Sequence, residues 1–340
     1  MGKTDGRQQV VGFVDDLAVL EPHLFFCLNA QLQKRGMILT PVDSRGVRTE
    51  GALEYCAEQR FAAAVVWSKT VNPDVARLRR VKQTMPIIAV DHALRGIETD
   101  VVGCNVFAGA KTAIRHLASL GHRRIGIVGA LDSLDTTQER FAGYLEGMFE
   151  AGLQPEPQDL LFTRTSGSTP HTAALERRLS EPDRPDAVFV MQDHVLEDLT
   201  HAAFVAGLEI PTDLAVVSMG SDEPFAALPK TGLTTVAFDW AKMADAIHDR
   251  LCARFSDPGA RPAVEQIPAR LMVRGSCGAP REFWTEQPPL PISSTLRPKA
   301  GVRGLSDAPA SRTLDRSYRP PLHREAVGTP KPSSLSSTLR

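Results

Sequence analysis

The chain has 340 residues, 42% hydrophobic and 23% charged, enough to build one or two full cores in a globular protein. A net charge of -1 leaves no broad electrostatic footprint for nucleic acid or an anionic membrane. No apolar run reaches the ~18 residues of a spanning helix and no cleavable leader is visible, so a cytoplasmic location and no membrane partner are expected.

Residues 1–9 read as a polar stub. Its Gly2-Lys3-Thr4 lacks the upstream glycine and the preceding strand that a phosphate loop requires. Residues 10–14 (VVGFV) predict a first strand, closed by Asp15-Asp16. Glu21-Pro22 then opens a helix with Phe25, Phe26, Leu28 and Leu32 turned inward. Strands follow at 37–42, 62–67 and 86–92, alternating with helices at 50–59 and 73–82. Strand-helix units of about 25–30 residues imply a parallel sheet with helices on both faces.

A short strand at 101–102 and a helix at 105–120 lead into HLASLGHRRIGIVGA (116–130). Gly121 stands where a helix C-terminus accepts positive φ, and His122, Arg123 and Arg124 complement the helix dipole. IGIVGA (125–130) suits a parallel strand covered on both faces. Thr136 or Thr137 can cap the next helix, in which Arg140, Phe141, Tyr144, Leu145, Met148 and Phe149 recur at helical spacing. The mouth of such a strand-loop-helix unit is where open α/β sheets bind ligands, and Arg140 lies near it.

The same rhythm then restarts, with strands at 160–163, 187–191, 214–219 and 233–238 and helices at 169–179, 194–206 and 241–255. Two short strands, 264–267 and 271–273, close it around Pro268. Two successive α/β runs imply two similar lobes. From 279 onward Pro, Ser and Arg dominate, with ten basic against five acidic residues, and 279–340 is expected to be a disordered tail. A weak nucleic-acid contact is the functional reading of that charge; an inert extension is the simpler one.

Cys27, Cys56, Cys104, Cys252 and Cys277 are odd in number, scattered and without a CxxC pair, which implies buried free thiols. His92, His116 and His122 share no metal-ligand spacing and read as solvated or capping residues. GxSxG, HExxH and GxGxxG are all missing, so no enzyme chemistry, cofactor or metal is expected.

Five pieces in one order carry a family resemblance: HLASLGHRRIGIVGA, ERFAGYLEGMFEAGL, PDAVFVMQDHVLEDLTHAAFVAGLEIPTDLAVVSMG, GLTTVAFDWAKMADA and PARLMVRGSC. Through them residues 10–278 resemble the effector-binding part of LacI/GalR-family transcription regulators, which share their fold with periplasmic sugar-binding proteins. The resemblance implies an α/β protein of two doubly wound parallel-sheet lobes joined by three crossovers, the type I periplasmic-binding-protein-like arrangement. Mapped here, 10–116 and 240–264 form lobe one, and 117–239 and 265–278 form lobe two. It also implies a small-molecule effector, a sugar or similar metabolite, closed between the lobes of a homodimer. Effector binding then shifts the lobe arrangement and with it DNA affinity. The family's helix-turn-helix has no counterpart ahead of the first strand, so DNA is expected as a partner only through a module supplied outside this chain. The alternative is a stand-alone solute-binding protein.

Sugar recognition needs planar bidentate partners for vicinal hydroxyls and an apolar surface for the ring's C–H face. The resemblance puts Arg140 at the family's ligand-clamping arginine; its bland reading is a surface residue paired with Glu139. Gln192 and Asp193 stand where the family has asparagine-aspartate, and Asp193 can equally cap the next helix. Asp222 lies a residue or two from the family's acid, or is an ordinary turn residue. Trp240 falls at an aromatic position of the lobe crossing, or in the core. In lobe one Asp15 and Phe25 match cleft-lining positions, and Phe25 is also a core candidate. Cys104-Asn105 replaces an aspartate-asparagine pair, removing one sugar-binding carboxylate, and Cys104 either faces the cleft or is buried.

Overall fold

The alternating strands and helices assemble into two six-stranded sheets, in a computed structural model that describes residues 9–17, 22–67, 72–130, 135–163, 169–220 and 232–285. The first half contains β1 (Gln9–Asp15), α1 (Pro22–Gln33), β2 (Met37–Asp43), α2 (Arg48–Glu58), β3 (Ala63–Val66), α3 (Val75–Lys82), β4 (Ile87–Val90) and β5 (Asp100–Asn105). Next come α4 (Val106–Ser119), β6 (Ile125–Ala130), α5 (Asp135–Glu150), β7 (Leu160–Thr163), α6 (Thr169–Leu179), β8 (Ala187–Val190) and α7 (Leu196–Val205). The chain then runs through β9 (Ala215–Gly220), β10 (Thr234–Ala237), α8 (Trp240–Ser256), β11 (Val264–Pro268) and β12 (Arg270–Met272).

Sheet one has the order β11-β5-β4-β3-β1-β2 and sheet two β12-β10-β9-β8-β6-β7. Among the described residues every pairing is parallel except that of β10 with β12. The two α/β lobes expected from the sequence are therefore present. Side chains alternate across each sheet with the strand period of two. Val11, Phe13 and Val65 meet α1 and α8 on one face, while Val14, Ala64 and Val66 join the layer of α2 and α3 on the other. In sheet two Ile127 and Phe189 face α4 and α5, and Val128, Val188 and Val190 face α6 and α7. Both faces are covered, which is why these strands read as continuous apolar runs.

Several expectations need correction. Helix α4, placed in lobe one as far as residue 116, instead packs along α5 and against β8, β9 and β10 of lobe two. The reason lies in two glycines of α5. A Cβ at Gly143 would stand 2.3 Å from the Phe107 carbonyl oxygen, and one at Gly147 2.7 Å from Ile114 Cβ. Their absent side chains let the two helices approach closely. The first crossing thus falls at Asn105–Val106. Strand β11 pairs with β5 through Pro268, so residues 265–268 belong to sheet one and the third crossing lies just after it.

Phe26, expected inward, is 67% exposed, because Leu24, Leu28 and Leu32 recur at i, i+4 and i+8 on the opposite side of α1. Thr136 and Thr137 lie inside α5 rather than ahead of it, since the helix already begins at Asp135. Residues 279–285, assigned to the tail, belong to the body: Trp284 Nε1 donates to the Ala279 carbonyl at 3.0 Å, and Thr285 N to Val273 O at 2.9 Å. The remainder of the expected tail, and all of the stub before Gln9, lie outside the described residues. All five cysteines are free; Cys56, Cys104 and Cys277 are buried, whereas Cys27 and Cys252 are only half-buried. Gly121 takes φ +100 as expected, and Arg123 Nη1 donates to the Ala118 carbonyl at 3.1 Å, at the end of α4. Among the described residues no helix is long and apolar enough to cross a membrane.

Candidate functional site

In parallel sheets the carboxyl ends of the strands collect side chains from many loops at one edge, and that edge is the usual ligand side. Of the seven expected site residues, Asp15, Gln192, Asp193 and Trp240 stand at such edges, and Arg140 and Phe25 on helices that follow a strand. Asp222 lies outside the described residues.

Arg140, in α5, donates from Nη1 to the Met191 carbonyl at 2.9 Å, just past β8. Its guanidinium carbon sits 5.7 Å from the centroid of the Phe238 ring, so it is held by a ring face and a backbone carbonyl. Phe238 meets Trp240 edge-on at 5.2 Å, and Trp240 tilts against Trp67 at 6.1 Å. These four side chains form a continuous strip from α5 of lobe two, across the β10-α8 crossing, to the end of β3 in lobe one. The three rings are half-buried, and Trp240 Nε1 has no hydrogen-bond partner among the described residues.

Gln192 hydrogen-bonds the backbone of Ala130. Its Nε2 donates to Ala130 O and its Oε1 accepts from Ala130 N, both at 3.0 Å, so the amide extends the β6–β8 pairing by one step. Asp193 opens a short 3-10 turn, and its carboxylate lies so close over Gly220 that a Cβ there would stand 2.1 Å from Oδ2. Asp15 ends β1 almost fully buried, with Oδ1 accepting from Asp16 N at 2.7 Å. Phe25 packs edge-on against Phe13 at 5.6 Å and is half-buried against the first core.

Cys104 is buried, with its thiol 3.3 Å from Met243 Sδ. Burial pushes its pKa well above the usual thiol range, Asp91 adds to this, and Arg140 opposes it. The position therefore presents a neutral thiol. Asn105 is equally engaged, its Oδ1 accepting from Ala108 N at 2.9 Å as the cap of α4. Asp239 caps α8 in the same way through Lys242 N at 3.1 Å.

Sequence reasoning did not single out Trp67, Asp91 or Phe238. A usable signal existed for each: they directly follow the last residue of a buried parallel strand. Asp91 adopts φ +63, and Gly103 makes room for it, since a Cβ there would lie 2.7 Å from Asp91 Cα.

At the opposite edge of sheet two, His116 and His122 are not the solvated or capping residues expected. His116 Nε2 lies 3.3 Å from Cys277 Sγ, and His122 bridges the Cys277 carbonyl and Asp186 at 3.4 Å each. These contacts tie the chain after β12 to the turn before β6. Among the described residues no group of three His, Cys, Asp or Glu side chains could hold a metal.

A family profile for a periplasmic binding protein-like domain matches residues 114–277. The chain is 30% identical over 249 residues to the ribose operon repressor of Escherichia coli, covering 72% of this chain and 74% of that protein. It is 26% identical over 226 residues to the HTH-type transcriptional repressor PurR of Mannheimia succiniciproducens, 66% of each chain. A solved LacI-family regulator from Enterococcus faecium with bound ribose superposes with a TM-score of 0.67 at 20% identity, over 79% of this chain and 98% of that one.

Proposed function

The chain belongs to the LacI/GalR family of transcription regulators, and on that premise we propose that it is the effector-sensing part of such a regulator. A sugar or similar small metabolite binds between the lobes and shifts their arrangement, and with it DNA binding or dimer state. The observation that carries this reading is the strip Arg140-Phe238-Trp240-Trp67, which spans both lobes at the ligand edge. Aromatic faces suit the C–H face of a sugar ring, and the guanidinium fork suits two hydroxyls or a carboxylate. The ribose held by the Enterococcus faecium regulator supports a ligand of that size. Contact with DNA then belongs to a helix-turn-helix outside the described residues, and the working form is a homodimer in the cytoplasm.

A thermal-shift screen of the full chain against pentoses, hexoses, disaccharides, nucleosides and purines tests this. A ligand that selects the native state raises Tm by mass action, and Arg140→Ala removes the shift. A folded protein whose Tm responds to none of these classes would overturn the sensor reading.

A further inference from the structure

On the edge of sheet one away from the strip, between the end of α3 and the end of α8, lies a cavity of about 240 Å³. Thr99 is one of its lining residues. It is 6% exposed, and its Oγ1 has no hydrogen-bond partner among the described residues. A buried hydroxyl without a partner is costly, and such groups in folded proteins are normally satisfied by protein, water or ligand.

Arg254 and Lys82 also line the cavity. Arg254 is fixed by an ion pair from Nε to buried Asp100 and by Nη1 donating to Ala260 O at 2.6 Å. Its Nη2 remains uncommitted among the described residues. Lys82, also on the cavity wall, has no ion-pair partner among them. Met85, Pro86 and Pro258 supply the apolar part of the lining. A few convergent polar groups in an apolar recess is the usual composition of a small-ligand site.

We propose that this cavity is a second ligand site, separate from the cleft, for a small carboxylate with a short apolar body. The carboxylate oxygens accept from Thr99 Oγ1, Arg254 Nη2 and Lys82 Nζ, while the body lies against Met85, Pro86 and Pro258. A singly charged head fits better than phosphate. Asp100 already offsets the Arg254 charge, and Glu98 on the rim has no cationic partner among the described residues to neutralise it.

Titration of the full chain with sodium butyrate, and separately with inorganic phosphate, tests the site by two-dimensional NMR of the 82–85, 87 and 98–100 amides. Butyrate is expected to shift these resonances saturably and phosphate not to. Thr99→Val, nearly isosteric, weakens butyrate about fivefold without lowering Tm, since it removes a hydroxyl that has no partner in the free protein. Glu98→Gln tightens binding about twofold by removing a like charge at the rim. Arg140→Ala leaves the titration unchanged, which separates this site from the cleft whatever the cleft binds. Phosphate binding as well as butyrate would overturn the ligand class. Unchanged butyrate affinity in Thr99→Val would overturn the Thr99 assignment, and no saturable shift at all would mean a cavity filled by water alone.

Discussion

Arg140 lies over the ring of Phe238, 5.7 Å from its centroid, while its Nη1 holds the Met191 carbonyl at 2.9 Å. One guanidinium thereby links α5, the end of β8 and the chain leaving β10. The side chain is oriented before any ligand arrives, which lowers the ordering cost of binding. Arg140→Lys keeps a charge but loses the planar fork, and Arg140→Ala loses both. Calorimetric titration with an effector found by thermal shift should show at least about tenfold weaker binding for Lys and none detectable for Ala. Equal affinity in all three proteins would remove Arg140 from the site.

Gln192 separates a structural role from a ligand role. Its amide satisfies both backbone groups of Ala130. Gln192→Glu loses the donor and sets a carboxylate against a carbonyl, so chemical denaturation should show a loss of about 1–3 kcal/mol. Wild-type stability together with lost effector binding would instead mark Gln192 as a ligand contact.

Gly143 permits the α4–α5 contact. Gly143→Ala drives a Cβ toward the Phe107 carbonyl oxygen, and since both partners are backbone the strain cannot be relieved by a rotamer change. Denaturation should report a loss of about 1–3 kcal/mol, against the gain that an open helical Gly→Ala change brings. A stabilised variant would mean that α4 does not pack here as described.

His116 predicts a pH dependence. Burial, and secondarily the neighbouring His122, hold its pKa below the ordinary 6.5. A histidine depressed in the folded state binds more protons when unfolded, so its contribution to stability rises with pH across that window. That contribution is complete above about pH 6.5 and is lost as pH falls toward the folded value. Urea midpoints at pH 7.5 and 5.5 should therefore differ less in His116→Gln than in the wild type. An unchanged difference would mean that His116 titrates as it does in the unfolded chain.

Much of the fold was legible because its signals are local. IGIVGA reads as a buried strand from composition alone and occupies Ile125–Ala130. Gly121 marks the end of α4 through its own backbone angle. The order of motifs was enough to point to two lobes and to Arg140 and Trp240 near their junction. What composition and spacing could not supply was any statement about partners distant in the chain. That the amide of Gln192 bonds Ala130, 62 residues away, is visible only in the fold. Phe26 looks as apolar as Phe25, and only the azimuth of α1 against the sheet decides which is covered. The lobe that owns α4 rests on Gly143 and Gly147 of a later helix. Trp67 gains meaning only where Trp240, from the other end of the chain, meets it. Local propensity determined which elements form and in what order. Long-range packing, in which two surfaces must fit without voids or clashes, decided their neighbours and which polar groups are left to meet a ligand.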